Sequence, residues 1–199
     1  CFNRTYFEAW KSGRTGYPMI DACMRFLTAT GWLNFRMRAL LISFSSQHLW
    51  LHWREPSVHL AGLFTDYEPG IHYSQTQMQS GTTGINTIRI YNPIKQGLDQ
   101  DPKGRFVRQW IPELKDIDQE FIHTPWLSPN KPKGYPPPIV DEKTSRQMAS
   151  KKLYAVKGKP EHKEIAREVY VKHGSRKGRQ TIKRNSIRPK NKLQGELNF

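Results

Sequence analysis

Cysteine is scarce in this chain, with Cys1 and Cys23 the only two among 199 residues. They form no CxxC pair and no even-spaced framework, which argues against a disulfide-stapled fold and a thiolate zinc site and fits a reducing compartment. Long apolar runs are missing too. Nothing approaches the roughly 18 consecutive apolar residues of a membrane-spanning helix, and no signal peptide pattern appears, so a soluble, cytoplasmic protein with no membrane partner is expected. The chain begins at Cys1 rather than Met, which points to a piece of a longer protein. Alternation is equally short: "INTIRIY" at residues 85–91 is the longest strand-like pattern. The expected fold class is therefore all-α.

Acids are outnumbered, and unevenly. The formal net charge is +15. Residues 1–140 hold 15 Lys and Arg against 11 Asp and Glu, whereas residues 141–199 hold 17 against 6. The basicity thus belongs mostly to the C-terminal part, where it serves either polyanion contact or solubility. Residues 174–199, "GSRKGRQTIKRNSIRPKNKLQGELNF", have little to bury and are expected to be disordered. Three segments follow: a helical domain over 1–140, a helical extension over 141–173, and the basic tail over 174–199.

What is present reads mainly as helix punctuation. Pro18, the apolar Met19, Ile20, Cys23, Met24 and Leu27, and Gly31 predict an amphipathic helix with start and stop signals. A second helix is predicted from about Asn34, with Met37, Leu40, Leu41, Phe44, His48 and Leu51 on its buried face. Arg38 lies beside that face and needs an anionic partner, for which Asp66 is the candidate, as a pocket-lining pair or a structural one. Arg36 points elsewhere. Pro56 is read as starting a shorter helix that reaches about Phe64, and Asp101 with Pro102 as launching a helix through Ile111 that Pro112 ends. "TPWLSPNKPKGYPPP" is expected to wrap the surface rather than enter the core. Residues 141–156 and 160–173 are predicted helical.

Several residues carry chemistry in more than one way. Trp32, Trp50 and Trp53 are read either as core anchors or as a stacking surface or electron path, and spacing does not separate these. His48 and His52 have i,i+4 spacing but no HExxH frame, a weak metal signal. "SGTTG" at residues 80–84 matches no phosphate-loop pattern and reads as a tight turn. The stretch from Thr65 to Gln96 is a polar connection in which His72 is the group that titrates near neutrality.

Three stretches in one order, "GRTGYPMIDACMRFLTATGW" (residues 13–32), "RIYNPIKQGLDQDPKGRFVRQWIPEL" (89–114) and "IHTPW" (122–126), resemble the C-terminal part of the helical FAD-binding domain of the photolyase/cryptochrome family. The resemblance covers about residues 6–140. It implies a multi-helical domain, a U-shaped FAD excited by blue light, and either repair of pyrimidine photoproducts in DNA or signalling without repair; at full length a monomer is implied. By the same resemblance Arg38 stands beside the flavin, Asp66 pairs with it, Glu68 faces the ribityl and ring edge, and Arg36 and Arg89 meet the DNA backbone. Trp53 corresponds to the middle member of an electron-carrying tryptophan chain.

The chain departs from the family pattern mostly in its polar stretch. Phe35 and His72 stand where asparagines contact the flavin, and Ala39 where a methionine lines the lesion pocket. Thr76 and Met78 stand where tryptophans lie nearest the flavin and against the lesion. Such changes interrupt the usual photoreduction chain unless Trp50 or Tyr73 substitutes, and weaken packing round a flipped dimer by about 1 to 3 kcal/mol per stacked base. A histidine near flavin N5 is expected to donate a hydrogen bond and to make the site respond to pH. A nucleic-acid-binding protein without flavin chemistry, using its basic tail, is a third expectation.

Overall fold

The structure, a computed structural model, describes residues 2–84 and 86–173. The tail at 174–199 lies outside the described residues. Among those residues the elements are helices joined by turns, without strands: α1 (Arg4–Lys11), α2 (Pro18–Thr30), α3 (Phe35–Ser43), α4 (Arg54–Ala61), α5 (Pro69–Ser80), α6 (Pro93–Gln100), α7 (Arg105–Trp110), α8 (Glu142–Lys157) and α9 (Pro160–His173).

Helix α2 is the hub, packing against α1, α3, α6 and α7. Pro18 sits in its first turn, where a missing N–H costs nothing, and Gly31 closes it at φ 71°, donating to Leu27 O at 2.7 Å. Met19, Ile20, Cys23, Met24 and Leu27 are all buried with Leu40, Leu41 and Phe44 of the second helix. Asp21 is buried as well, which an unpaired carboxylate would not tolerate. Thr15 N and Oγ1 donate to it at 2.8 and 2.7 Å, Gly16 N at 3.0 Å and Tyr135 Oη at 2.6 Å. Burial, the larger effect, pushes its pKa up, and these four donors oppose that rise.

That network corrects the reading of the proline-rich segment. Its chain is irregular, but Tyr135 is drawn inside and Ile139 N bonds Thr15 O at 3.0 Å, so the segment clamps the start of α2. The approach is close: a Cβ on Gly16 would lie 2.3 Å from Pro137 O, and φ there is 81°.

Three helix boundaries differ from expectation. The second helix passes from α3 into a π-turn at Phe44–His48 and ends there, so Leu51 is buried from a loop. Ser43 donates to Gln47 Oε1 at 2.6 Å within the widened turn, and Ser45 to Ile42 O at 3.1 Å. Helix α4 begins at Arg54 rather than Pro56, which occupies its first turn. Asp101 does not start α7 directly; Gly104 at φ 64° does, while the Asp101 carboxylate reaches forward to Arg105 N and Val107 N at 2.8 and 3.0 Å.

The tryptophans also sort differently. Trp32 and Trp50 are about half exposed, at 50% and 47%, and Trp53 is half-buried, so none of the three is a fully buried anchor; Trp10 is. Trp50 has φ 52°, a strained value for a bulky side chain, with Lys152 Nζ 4.6 Å from its ring centre.

Candidate functional site

The polar connection after α4 is not a loop. Glu68 caps a helix, its Oε1 and Oε2 accepting from Gly70 N and Ile71 N at 3.1 and 2.6 Å; Pro69 opens that helix and Gly81 ends it at φ 80°. This is α5, and its inner face packs on α3 and α4. Together they enclose a cavity of about 170 Å³. Phe35, Arg38, Ala39 and Ile42 line it from α3, Leu60 from α4 and Phe64 from just beyond it, Asp66 and Glu68 from the turn, and His72, Gln75, Thr76 and Gln79 from α5. Five residues expected at one site, Phe35, Arg38, Asp66, Glu68 and His72, therefore share one cavity.

Arg38 is fixed three ways. Its Nε donates to Leu33 O at 2.6 Å, its Nη2 to both oxygens of Asp66 at 3.0 and 2.8 Å, and its guanidinium lies 4.0 Å from the Phe64 ring centre. The Arg38 hydrogen bonds hold the Asp66 carboxyl below its usual pKa. Glu68 differs from expectation: its carboxylate serves as the helix cap as well as a wall of the cavity.

His72 Nε2 lies 2.8 Å from Ser57 O, an acceptor only, so the neutral ring carries its proton on Nε2. Thr76 Oγ1 donates to Tyr73 O at 3.0 Å and accepts from Ser57 Oγ at 2.9 Å. Burial lowers the His72 pKa, which keeps this arrangement neutral. The expected hydrogen-bond donation from His72 toward a ligand is thereby corrected: the neutral ring already gives its N–H to Ser57, leaving Nδ1 as an acceptor. Thr76 is buried and completes the wall without any aromatic ring.

Gln75 is the residue the sequence reading missed. Its Oε1 is buried on the cavity wall without a hydrogen-bond partner. Such an atom costs about 1 to 3 kcal/mol unless something donates to it. The one available signal was spacing: residues 68, 72, 75, 76 and 79 fall on one face once the stretch is taken as helical.

The other expected residues lie elsewhere. Met78 and Arg89 meet at a second recess of about 250 Å³, and Arg36 is exposed on α3 and lines neither. Trp53 lies in a cleft of about 450 Å³ with Trp50, Ser80 and Leu153. It stands one turn before Ser57, whose N–H bonds Trp53 O at 3.0 Å, and it does not line the main cavity. His48 and His52 do not converge. His48 is buried beside Glu142, and His52 is exposed beyond the helix end.

Residues 2–155 match a family described as the FAD binding domain of DNA photolyase. The chain belongs to that family. It is 37% identical over 149 residues to the deoxyribodipyrimidine photo-lyase of Escherichia coli, covering 72% of this chain and 32% of that one. Identity to cryptochrome-2 of Arabidopsis thaliana is 38% over 158 residues, covering 74% and 26%. An archaeal photolyase from Sulfolobus tokodaii, solved with two FAD molecules, superposes with TM-score 0.72 at 39% identity, covering 77% of this chain and 35% of that one. The chain thus spans about a third of the length of these photolyases and cryptochromes.

The family's cofactor, FAD, fits the residues present. Phe35, Ala39, Ile42 and Leu60 offer an apolar surface for a flat ring, and the unpartnered Gln75 oxygen offers an acceptor for an N–H at its edge. At about 170 Å³ the cavity is below the roughly 300–1,000 Å³ of an enclosing ligand pocket, so these helices form one wall of a site. No described helix is long and apolar enough to cross a membrane.

Proposed function

We propose that the chain is the flavin-facing part of a photolyase-type enzyme that uses blue light to drive electron transfer into pyrimidine photoproducts in DNA. The observation that carries this reading is the cavity itself, in which Arg38, Asp66, Glu68 and His72 converge with an unpartnered Gln75 oxygen. Bound FAD supplies light absorption and a transferable electron. The protein supplies position and electrostatics: Arg38, immobilised by Leu33, Asp66 and Phe64, fixes a positive charge, while Phe35 and Ile42 keep water from one ring face. Arg36, Arg89 and Met78 are the proposed DNA contacts, acting on a nucleotide turned out of the duplex.

The test uses full-length protein. FAD absorption bands after purification, followed by blue-light reversal of either main class of pyrimidine photoproduct, are the expected result. A flavin-loaded protein that reverses neither class sinks the reading. Thr76 favours one second reading, a cryptochrome-like photoreceptor, because a hydrogen-bonded hydroxyl occupies the wall where the family pattern has tryptophan. That reading expects light-dependent change in the flavin spectrum without repair, and a Trp53→Phe variant with unchanged photoreduction removes Trp53 from its electron path.

A further inference from the structure

Residues 86–90 form a ridge between two concavities. Thr87 and Arg89 face the recess that also holds Met78, whereas Ile88 and Ile90 face a separate groove of about 660 Å³. Arg146, Ser150, Lys151 and Tyr154 of α8 form the opposite wall, and no carboxylate lines it. One end is tied by Lys157, whose Nζ donates to Asn86 O at 2.8 Å. The spacing 146, 150, 154, 157 follows the helix period, so these residues make one stripe, while Ser145 and Ala149 are buried on the other side.

The charge of the stripe is one-sided. Helix α8 carries Lys143, Arg146, Lys151 and Lys157 on or beside this stripe against Glu142 alone, while Lys152 turns away over Trp50. Glu142 is only 12% exposed and pairs with Arg146 Nε at 2.9 Å, which orients that guanidinium and leaves the outer lysines uncompensated. From 146 to 157 the stripe runs about 16 Å at 1.5 Å per residue. That length matches about five phosphates at 3.4 Å of axis per phosphate along one strand.

From this we infer that the groove between residues 86–90 and α8 is a track for the phosphodiester backbone of one nucleic-acid strand, continuing over the Arg89 ridge from the proposed lesion-side contacts. A concave, basic channel with an isoleucine floor and an exposed tyrosine matches a strand whose bases and sugars need apolar contact; a flat lipid surface does not enter such a groove. The track needs neither lesion nor flavin, and rests on the proposed function only through its continuity with Arg89.

The experiment measures binding of an undamaged fluorescent single-stranded oligonucleotide to full-length protein across a salt series. Arg146→Gln with Lys151→Gln should weaken low-salt binding at least tenfold and lower the salt slope by roughly 1.4, two contacts at about 0.7 each. Lys163→Gln with Lys172→Gln, the same charge change on exposed α9 positions, should leave the slope nearly unaltered. Tyr154→Ala should weaken binding while keeping the slope. If loss of the Glu142 pair disturbs folding, Lys151→Gln alone should lower the slope by about 0.7. Equal slope changes for the α8 and α9 pairs, no change for the α8 pair, or dependence on α8 only for anionic phosphatidylserine vesicles would each overturn the track. The flavin spectrum should be the same in all these variants, so failure of the flavin reading and failure of the track are separately visible.

Discussion

Removing either partner of the Arg38–Asp66 pair should have very unequal effects. Asp66 is 51% exposed on its side chain, so its ion pair contributes about 0.2 to 1 kcal/mol. Arg38 is 25% exposed and also donates to Leu33 O, a charge-assisted bond of about 1.5 to 3 kcal/mol. Its stacking on Phe64 adds about 0.5 to 1 kcal/mol. Arg38→Ala should therefore cost about 2 to 4 kcal/mol and Asp66→Ala less than about 1 kcal/mol, the double variant adding little to the first. Arg38→Lys should recover only a minor part, because an ammonium neither forks onto a carboxylate nor stacks on a ring in the same way. Urea denaturation of the four variants measures this through their midpoints, provided the slope is unchanged. An Asp66→Ala cost equal to that of Arg38→Ala would refute the claim that Leu33 and Phe64 hold the guanidinium.

Three further outcomes are expected. Burial, with Arg146 nearby, lowers the His48 pKa from 6.5 to about 4, and His59, His72 and His123 move the same way. Each is held neutral in the fold, so stability is full above about pH 6.5 and falls as pH drops toward 4; His48 alone accounts for about 3 kcal/mol. Urea midpoints that stay flat between pH 7 and 5 contradict this, and His48→Gln should shallow the decline. Tyr135→Phe leaves Asp21 short of one donor and should cost about 1 to 3 kcal/mol in the same assay, an unchanged midpoint arguing against an ionised Asp21. Gln75→Leu should leave the ligand-free protein as stable or slightly more so, yet weaken FAD binding about tenfold by equilibrium titration. Equal flavin affinity would show that the Gln75 oxygen meets nothing on the ligand.

The legible parts of the fold are those where apolar period and punctuation agree. Pro18 and Gly31 bound α2, Asn34 caps α3 and Asp141 caps α8 as their side chains require. Helix α5 was illegible because its Gln, Ser and Thr give no apolar period; its only marks are the caps at Glu68, Pro69 and Gly81, easily taken for turn residues. Missing it hid Gln75, since an amide becomes a site residue only when a helix aims it inward. The Arg38–Asp66 pair was readable because a charge beside a buried face demands a partner. The tryptophan reading failed because ring size alone does not decide burial: Trp50 follows the π-turn, where the chain turns out of the helix and presents it outward. No residue type announces a π-turn.

Asp21 is bonded to Tyr135 across 114 residues, and Tyr17 Oη to Val140 O across 123. On a ribosome adding about 5 to 20 residues per second, roughly 6 to 25 seconds pass between these partners. During that interval the acid of the central helix lacks the Tyr135 donor that it has in the finished fold. The clamp over the start of α2 thus cannot close until a tyrosine made long after the helix that it serves has left the ribosome.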